Sequence, residues 1–342
     1  MNMRMALVVA TLVMLGLATH SRAEIITRDI TYTHGEQKLV GYLAYDDAVE
    51  GKRPGVLVVH EWWGLNDYAK RRARMLAEMG YVAFCADMYG PGKVTADPKQ
   101  AGQWAGHLSG DIEQWRQRAL AGLGVLKEQP QTDTTDLAAI GYCFGGSTVI
   151  HLAYANPPGL KAVASFHGGL PIADEKVKQV KPEILICHGE ADDFVKPDHI
   201  SKFKAALDRA DAKWTFVSYA DAVHSFTNPQ ADDHGIEGIG YNARADRQSW
   251  AHMKMLLEQV FAADGVGLRI DIDGEGVIRI AGKVVTVEQI AKHVAPAKRS
   301  GEPVVVATDR KTKLRAVTRV IDALKTADVE VEIAVRPLLE GE

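Results

Sequence analysis

One cysteine of this sequence stands where a nucleophile would. Residues 141–146 read Gly-Tyr-Cys-Phe-Gly-Gly. Before them runs an apolar stretch, 137–142, of the kind that forms a strand buried on both faces; after them, 146–155 has helical character. A tight strand-to-helix turn strains the backbone at its apex, so Gly141 and Gly145 must lack side chains. The turn sets Cys143 at a helix N-terminus, where backbone N–H groups and the helix dipole favour thiolate over thiol. The Phe144 N–H then points to where a tetrahedral oxyanion would form. Cys85 and Cys187 lie inside apolar strand runs without a glycine bracket and read as core cysteines.

A nucleophile needs a base, and the base an orienting group. His188-Gly-Glu-Ala-Asp192-Asp193 follows a strand over 183–188, and Ala222-Val-His224-Ser-Phe226 follows one over 214–219. Both are loops at the carboxyl edge, where open parallel sheets place their sites. His224 is the expected base and Asp192 its partner; Asp193 competes, and Asp192 is preferred because it stands three residues past the turn glycine Gly189. Glu61 ends another apolar run, 55–60, where a carboxylate is costly to bury without a partner; a solvated loop acid is the alternative. Trp62 and Trp63 either line an apolar pocket or pack the sheet edge.

The elements that must position these groups alternate along the chain. Strands are expected over 25–32, 38–45, 55–60, 81–86, 137–142, 161–166, 183–188 and 214–219. Helices are expected over 67–79, 111–127, 146–155, 198–210 and 244–261. This is an α/β pattern, a doubly wound and mostly parallel sheet opened by an antiparallel pair. Lys70-Arg-Arg-Ala-Arg74 reads as the solvated face of its helix. All six tryptophans and all three cysteines precede residue 262, and no aromatic residue follows Phe261. The small, polar stretch 262–267 reads as a linker. Beyond it strands 267–272 and 276–281, helix 285–297, strand 303–307, helix 312–325 and strand 329–335 make a small β-β-α-β-α-β unit, with a hairpin turn at 271–276. The domains expected are therefore a leader (1–23), a large α/β domain (24–262) and a small one (263–342).

The leader rests on a basic start, an apolar run from Met5 to Ala18, and Ser21 and Ala23 before Glu24. The run falls short of the roughly 20 residues that span a bilayer. The expectation is an exported, periplasmic protein, with an uncleaved inner-membrane anchor as the alternative. A chain of 342 residues with 46% hydrophobic and 25% charged content and a formal charge of −4 is neither disordered nor fibrous. Nothing in that balance calls for nucleic acid. No cysteine pair has zinc spacing, and His60-Glu-Trp-Trp-Gly64 is not H-E-x-x-H, so no metal and no cofactor is expected.

Residues 24–262 resemble the dienelactone hydrolase family of α/β-hydrolases. The resemblance rests on His60-Glu-Trp-Trp-Gly64, Ala86-Asp-Met-Tyr89, Gly141-Tyr-Cys-Phe-Gly-Gly146, Gly189-Glu-Ala-Asp192 and His224-Ser-Phe226. It implies a Cys/His/Asp hydrolase of lactones and small esters, with the triad on Cys143, Asp192 and His224. It also implies that Glu61 contacts the resting thiol and helps activate it, and that the Trp62 N–H is the second oxyanion donor beside that of Phe144. Trp63, Tyr89 and Phe226 are the expected substrate contacts. One departure matters. The family's namesakes clamp a substrate carboxylate with two arginines, whereas here Asn228 follows the histidine motif and Gly90-Pro-Gly-Lys93 follows Tyr89. Without a bidentate guanidinium, a neutral or differently charged ester, lactone or thioester is the expected substrate.

Residues 267–337 resemble the periplasmic domain of the ExbD/TolR biopolymer-transport family. The matching features are Asp273-Gly-Glu-Gly-Val-Ile-Arg-Ile-Ala-Gly282, Asp309, and Val317-Thr-Arg-Val-Ile-Asp-Ala-Leu-Lys-Thr-Ala327. The resemblance implies self-association or docking on an envelope protein. Two other functions compete with hydrolysis: a non-catalytic envelope scaffold acting through 263–342, and a thiol redox sensor at Cys143, which lacks an evident resolving cysteine.

Overall fold

The computed structural model describes residues 24–49, 51–261, 269–280, 283–300, 304–309, 312–328 and 331–336. The leader 1–23, the linker 262–267 and the boundary near 263 lie outside the described residues.

In chain order the first sheet is built from β1 (Ile25–His34), β2 (Gln37–Asp46), β3 (Arg53–Val59), β4 (Val82–Ala86), β5 (Thr132–Tyr142), β6 (Leu160–Phe166), β7 (Glu183–Gly189) and β8 (Trp214–Tyr219). Their order across the sheet is β1-β2-β4-β3-β5-β6-β7-β8. β1 and β2 pair antiparallel, as does β2 with β4, and every other neighbour is parallel. This is the α/β-hydrolase sheet. The helices are α1 (Asp67–Ala77), α2 (Pro98–Ser109), α3 (Ile112–Lys127), α4 (Phe144–Tyr154), α5 (Pro197–Arg209) and α6 (Ala243–Phe261). The continuous apolar runs have the two-faced burial that parallel strands require. In β3, Leu57 and Val59 pack into a core shared with α3, α4 and α5. Val56 and Val58 pack into the opposite core with α1 and α6. Each such side chain contributes roughly 1.5–3 kcal/mol by burial. Two stacked cores hold the sheet rigid, and its carboxyl edge becomes a fixed platform for loops.

Two expectations need correction. α2 was not anticipated: it buries only Ala101 and Leu108, too thin a stripe for a periodic signal, and begins instead from an Asp97 cap and Pro98 in its first turn. The basic run on α1 is not a uniformly solvated face. Arg72 is buried, its guanidinium set against the rings of Tyr68, Tyr142 and Trp250 and paired with Asp246. A buried guanidinium survives because a carboxylate partner and aromatic faces replace water around it.

The second sheet comprises β9 (Arg269–Ile272), β10 (Ile278–Ile280), β11 (Lys283–Val285), β12 (Val304–Asp309) and β13 (Val331–Arg336), with α7 (Val287–Ser300) and α8 (Leu314–Thr326). The order is β11-β10-β9-β12-β13. β9 and β10 form the expected hairpin, and β12 runs parallel to β9 and β13. β11 is an addition to the expected pattern; three residues are too few to leave a period-two signature. Ile270, Ile272, Val306, Ile290, Val320 and Leu324 close one core between sheet and helices. Among the described residues no helix is long and apolar enough to cross a membrane.

Candidate active site

The glycines around Cys143 are sterically obligatory. A Cβ on Gly141 would lie 2.0 Å from the Gly145 carbonyl oxygen, and one on Gly145 would lie 2.2 Å from that of Val59. The elbow is thus clamped onto the end of β3. Cys143 itself has φ 53° and ψ −113°, a strained conformation for a residue with a side chain, and it occupies the N-cap of α4 without capping it. Its sulfur is therefore free to face the loops of the carboxyl edge.

Those loops bring the expected partners. His224 Nε2 lies 3.1 Å from Cys143 Sγ, and His224 Nδ1 lies 2.8 Å from Asp192 Oδ2. Asp192 is buried, and its Oδ1 also accepts from the Phe194 N–H at 3.0 Å. Asp193, the competitor, points outward and pairs with Lys196 at 3.6 Å. The two loops lie against each other because Gly189 has no side chain: a Cβ there would be 2.4 Å from the Ala222 oxygen. Ala191 N–H donates to that same oxygen. The histidine segment is pinned on its other side, His224 N–H donating to Gly238 O and Gly240 N–H to His224 O. Burial alone would lower the His224 pKa, but the adjacent Cys143 sulfur and the Asp192 carboxylate overcome it and lift it to about 10.

Glu61 is almost fully buried beside these loops. Ser225 Oγ donates to its Oε1 at 2.9 Å and Asn228 Nδ2 to its Oε2 at 2.6 Å. Burial pushes its pKa up, and the two donors pull against that. The resemblance implies that this carboxylate contacts the resting thiol. Its hydrogen bonds run instead to the histidine loop, while His224 is the sulfur's partner. Asn228, noted in the sequence as a missing arginine, thus serves as a donor to Glu61. The Phe144 N–H is the first of α4 and has no intrahelical acceptor. The Trp62 N–H comes from the turn after β3, against which Gly145 is clamped.

Comparison with known proteins assigns the chain to a family. The model of the dienelactone hydrolase family aligns with residues 39–261, more than half of the chain. The chain belongs to the dienelactone hydrolase family. A solved structure described as a dienelactone-hydrolase-like promiscuous phosphotriesterase, from metagenomic libraries, is 38% identical with a TM-score of 0.67; the match covers 69% of this chain and 99% of that one. An Aquifex aeolicus protein named "Putative carboxymethylenebutenolidase" is 26% identical, over 57% of this chain and 85% of its own. A Caenorhabditis elegans protein named "Uncharacterized protein K02A2.1" is 33% identical, over 42% of this chain and 93% of its own.

The remaining expected contacts of this dienelactone hydrolase family member divide. Trp63 is buried and stacks on His234 at 3.8 Å between ring centroids. Phe226 is buried against Tyr219 and His167. Both are core side chains rather than pocket walls, because the turns carrying them fold their large apolar rings inward. Trp62 is the half-exposed member of its pair. Tyr89 is also buried, its ring 5.5 Å from that of Phe144, yet its hydroxyl has no hydrogen-bond partner among the described residues. It borders a cavity of about 200 Å³ with Lys93, Trp104 and Arg118. Two residues went unnoticed in the sequence. Phe194 is 57% exposed, with its ring 5.1 Å from the His224 ring, at the open side of the triad. Its only sequence signal was its position two residues after Asp192. His167, at the end of β6, lies beneath the elbow, and no motif marked it.

Proposed function

We propose that this ester-bond hydrolase works through covalent catalysis at Cys143, with His224 and Asp192 completing the triad, on small esters or lactones. The observation that carries the proposal is the continuous contact Cys143 Sγ–His224 Nε2–Asp192, at 3.1 and 2.8 Å. With its pKa lifted to about 10, His224 is an imidazolium at neutral pH, and its charge beside the sulfur favours attack by the thiolate form.

The thiolate attacks the carbonyl carbon, and the carbonyl electron pair moves onto oxygen, which the Trp62 and Phe144 N–H groups hold. Collapse restores the carbonyl and breaks the carbon–oxygen bond. The leaving alkoxide takes the Nε2 proton of His224; in a lactone it remains tethered to the acyl chain. Neutral His224 then takes a proton from water, and the hydroxide attacks the thioester. The second collapse releases the acid and the thiolate, while His224 keeps the proton. Asp192 accepts the Nδ1–H throughout and holds the ring in its productive tautomer.

Purified wild type and Cys143→Ala, assayed on 4-nitrophenyl acetate and a small aryl lactone, test this reading. Loss of turnover in the variant is expected. Equal turnover by both proteins would refute the mechanism; no turnover by either would favour the scaffold alternative. An aryl phosphotriester belongs in the same screen, because the 38% identical structure is described as a promiscuous phosphotriesterase.

The proposal extends to export by residues 1–23 and to 263–342 as an ExbD/TolR-like unit that self-associates or docks on an envelope protein. The sheet and helix order of the small unit supports the latter. Fractionation of cells producing the full chain, with pull-down through 263–342, tests both.

A further inference from the structure

Beneath the triad lies a histidine to which the mechanism gives no role. His167 has no exposed surface and adopts φ 41°, a left-handed conformation costly for a residue with a side chain. Its backbone N–H donates to Cys187 O at 2.8 Å, fixing the end of β6. Its Nδ1 accepts from the Cys143 N–H at 3.1 Å, a bond shared with Phe166 O at 2.9 Å. Since Nδ1 accepts, the proton of the neutral ring is on Nε2. That nitrogen lies 2.7 Å from Thr227 Oγ1 and donates to it. The ring stands edge-on to His224 with centroids 5.4 Å apart. The turn that presents it is packed into the elbow: a Cβ on Gly168 would lie 2.9 Å from Gly146, and Gly169 N–H donates to Ser147 Oγ.

We propose that His167 is a positioning residue of this hydrolase, a neutral strut that ties the nucleophile's backbone to the catalytic histidine's loop and so sets the distance between sulfur and imidazole. Thr227 is three residues after His224. The path Cys143 N–H···His167···Thr227 therefore closes a short ring, of which the Sγ–Nε2 contact is the remaining side. The inference rests on the triad reading above. Arg72, whose guanidinium donates to Thr227 O, anchors the far end from α1. Burial keeps the strut neutral. It holds the His167 pKa well below the ordinary range, and His224, Arg72 and His188, which face it, add to that effect. A protonated His167 would lose its acceptor for the Cys143 N–H. The groups facing His224 are Cys143, Asp192, His167, His188 and Glu61. Of these, the Cys143 sulfur is the first support of the raised His224 pKa, so loosening the strut should weaken it.

The test uses the full mature chain with 4-nitrophenyl acetate, and iodoacetamide as a second probe of the thiolate. His167→Asn tolerates the positive φ and leaves an acceptor near the Cys143 N–H, but cannot span to Thr227. Thr227→Val cuts the same strut from the other side. In both, kcat should fall by about tenfold or more with KM little changed, as for a misplacement of the reacting groups. The alkaline limb of kcat/KM should also move from near 10 towards 6.5. Alkylation of Cys143 at alkaline pH should change in parallel, Cys85 and Cys187 being buried. Thr227→Ser should rescue both readouts, and the double variant should be no worse than the single ones. Variants that melt earlier but keep the wild-type kcat and alkaline limb would overturn the inference while leaving the triad intact. A Cys143→Ala enzyme as active as wild type would overturn both.

Discussion

Replacing Asp192 with asparagine keeps the shape of the site and removes one charge. His224 is buried, which alone would lower its pKa; the Cys143 sulfur and the Asp192 carboxylate instead lift it from 6.5 to about 10. At about 1.4 kcal/mol per pKa unit, that uplift is worth roughly 5 kcal/mol in favour of the imidazolium. The two groups must offset burial as well as supply this uplift, so losing the carboxylate should bring the His224 pKa well below 10. The imidazolium is the acid that protonates the leaving group, so the alkaline limb of kcat/KM should fall with it. Asparagine also relaxes the hold on the imidazole tautomer, and in triads of this kind kcat drops by on the order of 10³–10⁴. Stability carries the same signature. The folded pKa of His224 lies above its unfolded value, so the stabilisation is complete below pH 6.5 and is lost as pH rises to about 10. Kinetics from pH 6 to 10.5 with urea melts at both ends form the assay. An Asp192→Asn enzyme with an unmoved alkaline limb, or with kcat within threefold of wild type, would refute this reasoning.

Gly145→Ala places a methyl 2.2 Å from Val59 O and 2.7 Å from His60 O, both backbone atoms, and should cost about 2–4 kcal/mol or prevent folding, read by thermal melt. Glu61→Gln removes a buried carboxyl whose folded pKa lies above 4.5. The wild type should therefore lose stability as pH rises from 4.5 through that raised value, and the variant should show a flatter profile in urea melts. Phe194→Ala removes an exposed ring beside His224; KM for aryl esters should rise by roughly 2–10-fold with the melting temperature unchanged.

How far the site was legible depended on whether its physics is local. The elbow could be read because its glycine spacing is a steric requirement, met by carbonyl oxygens within 2.2 Å of the missing Cβ positions. Asp192 and His224 could be read because each follows a strand whose carboxyl end must lie on one edge of a parallel sheet. His167 could not, since its role arises where the ends of three segments distant in sequence meet. Trp63 and Phe226 stand beside Glu61 and His224 in sequence, but side chains only one or two residues from a site residue are turned into the core. The tracts that escaped detection, α2 and β11, bury too little to impose a period. Arg72 was misjudged because a basic run on a helix gives no hint that an aspartate over a hundred residues downstream will pair with one member.

The central claim, that the Cys143 sulfur becomes covalently acylated, is tested most directly by quenching the enzyme in acid within the first turnovers of 4-nitrophenyl acetate and weighing its peptides. The account predicts one acetyl group on the peptide containing Cys143, none on those with Cys85 or Cys187, and slower loss of the acetyl group when Asp192 is replaced. Turnover at full rate with no acetyl on Cys143 at any quench time would contradict it.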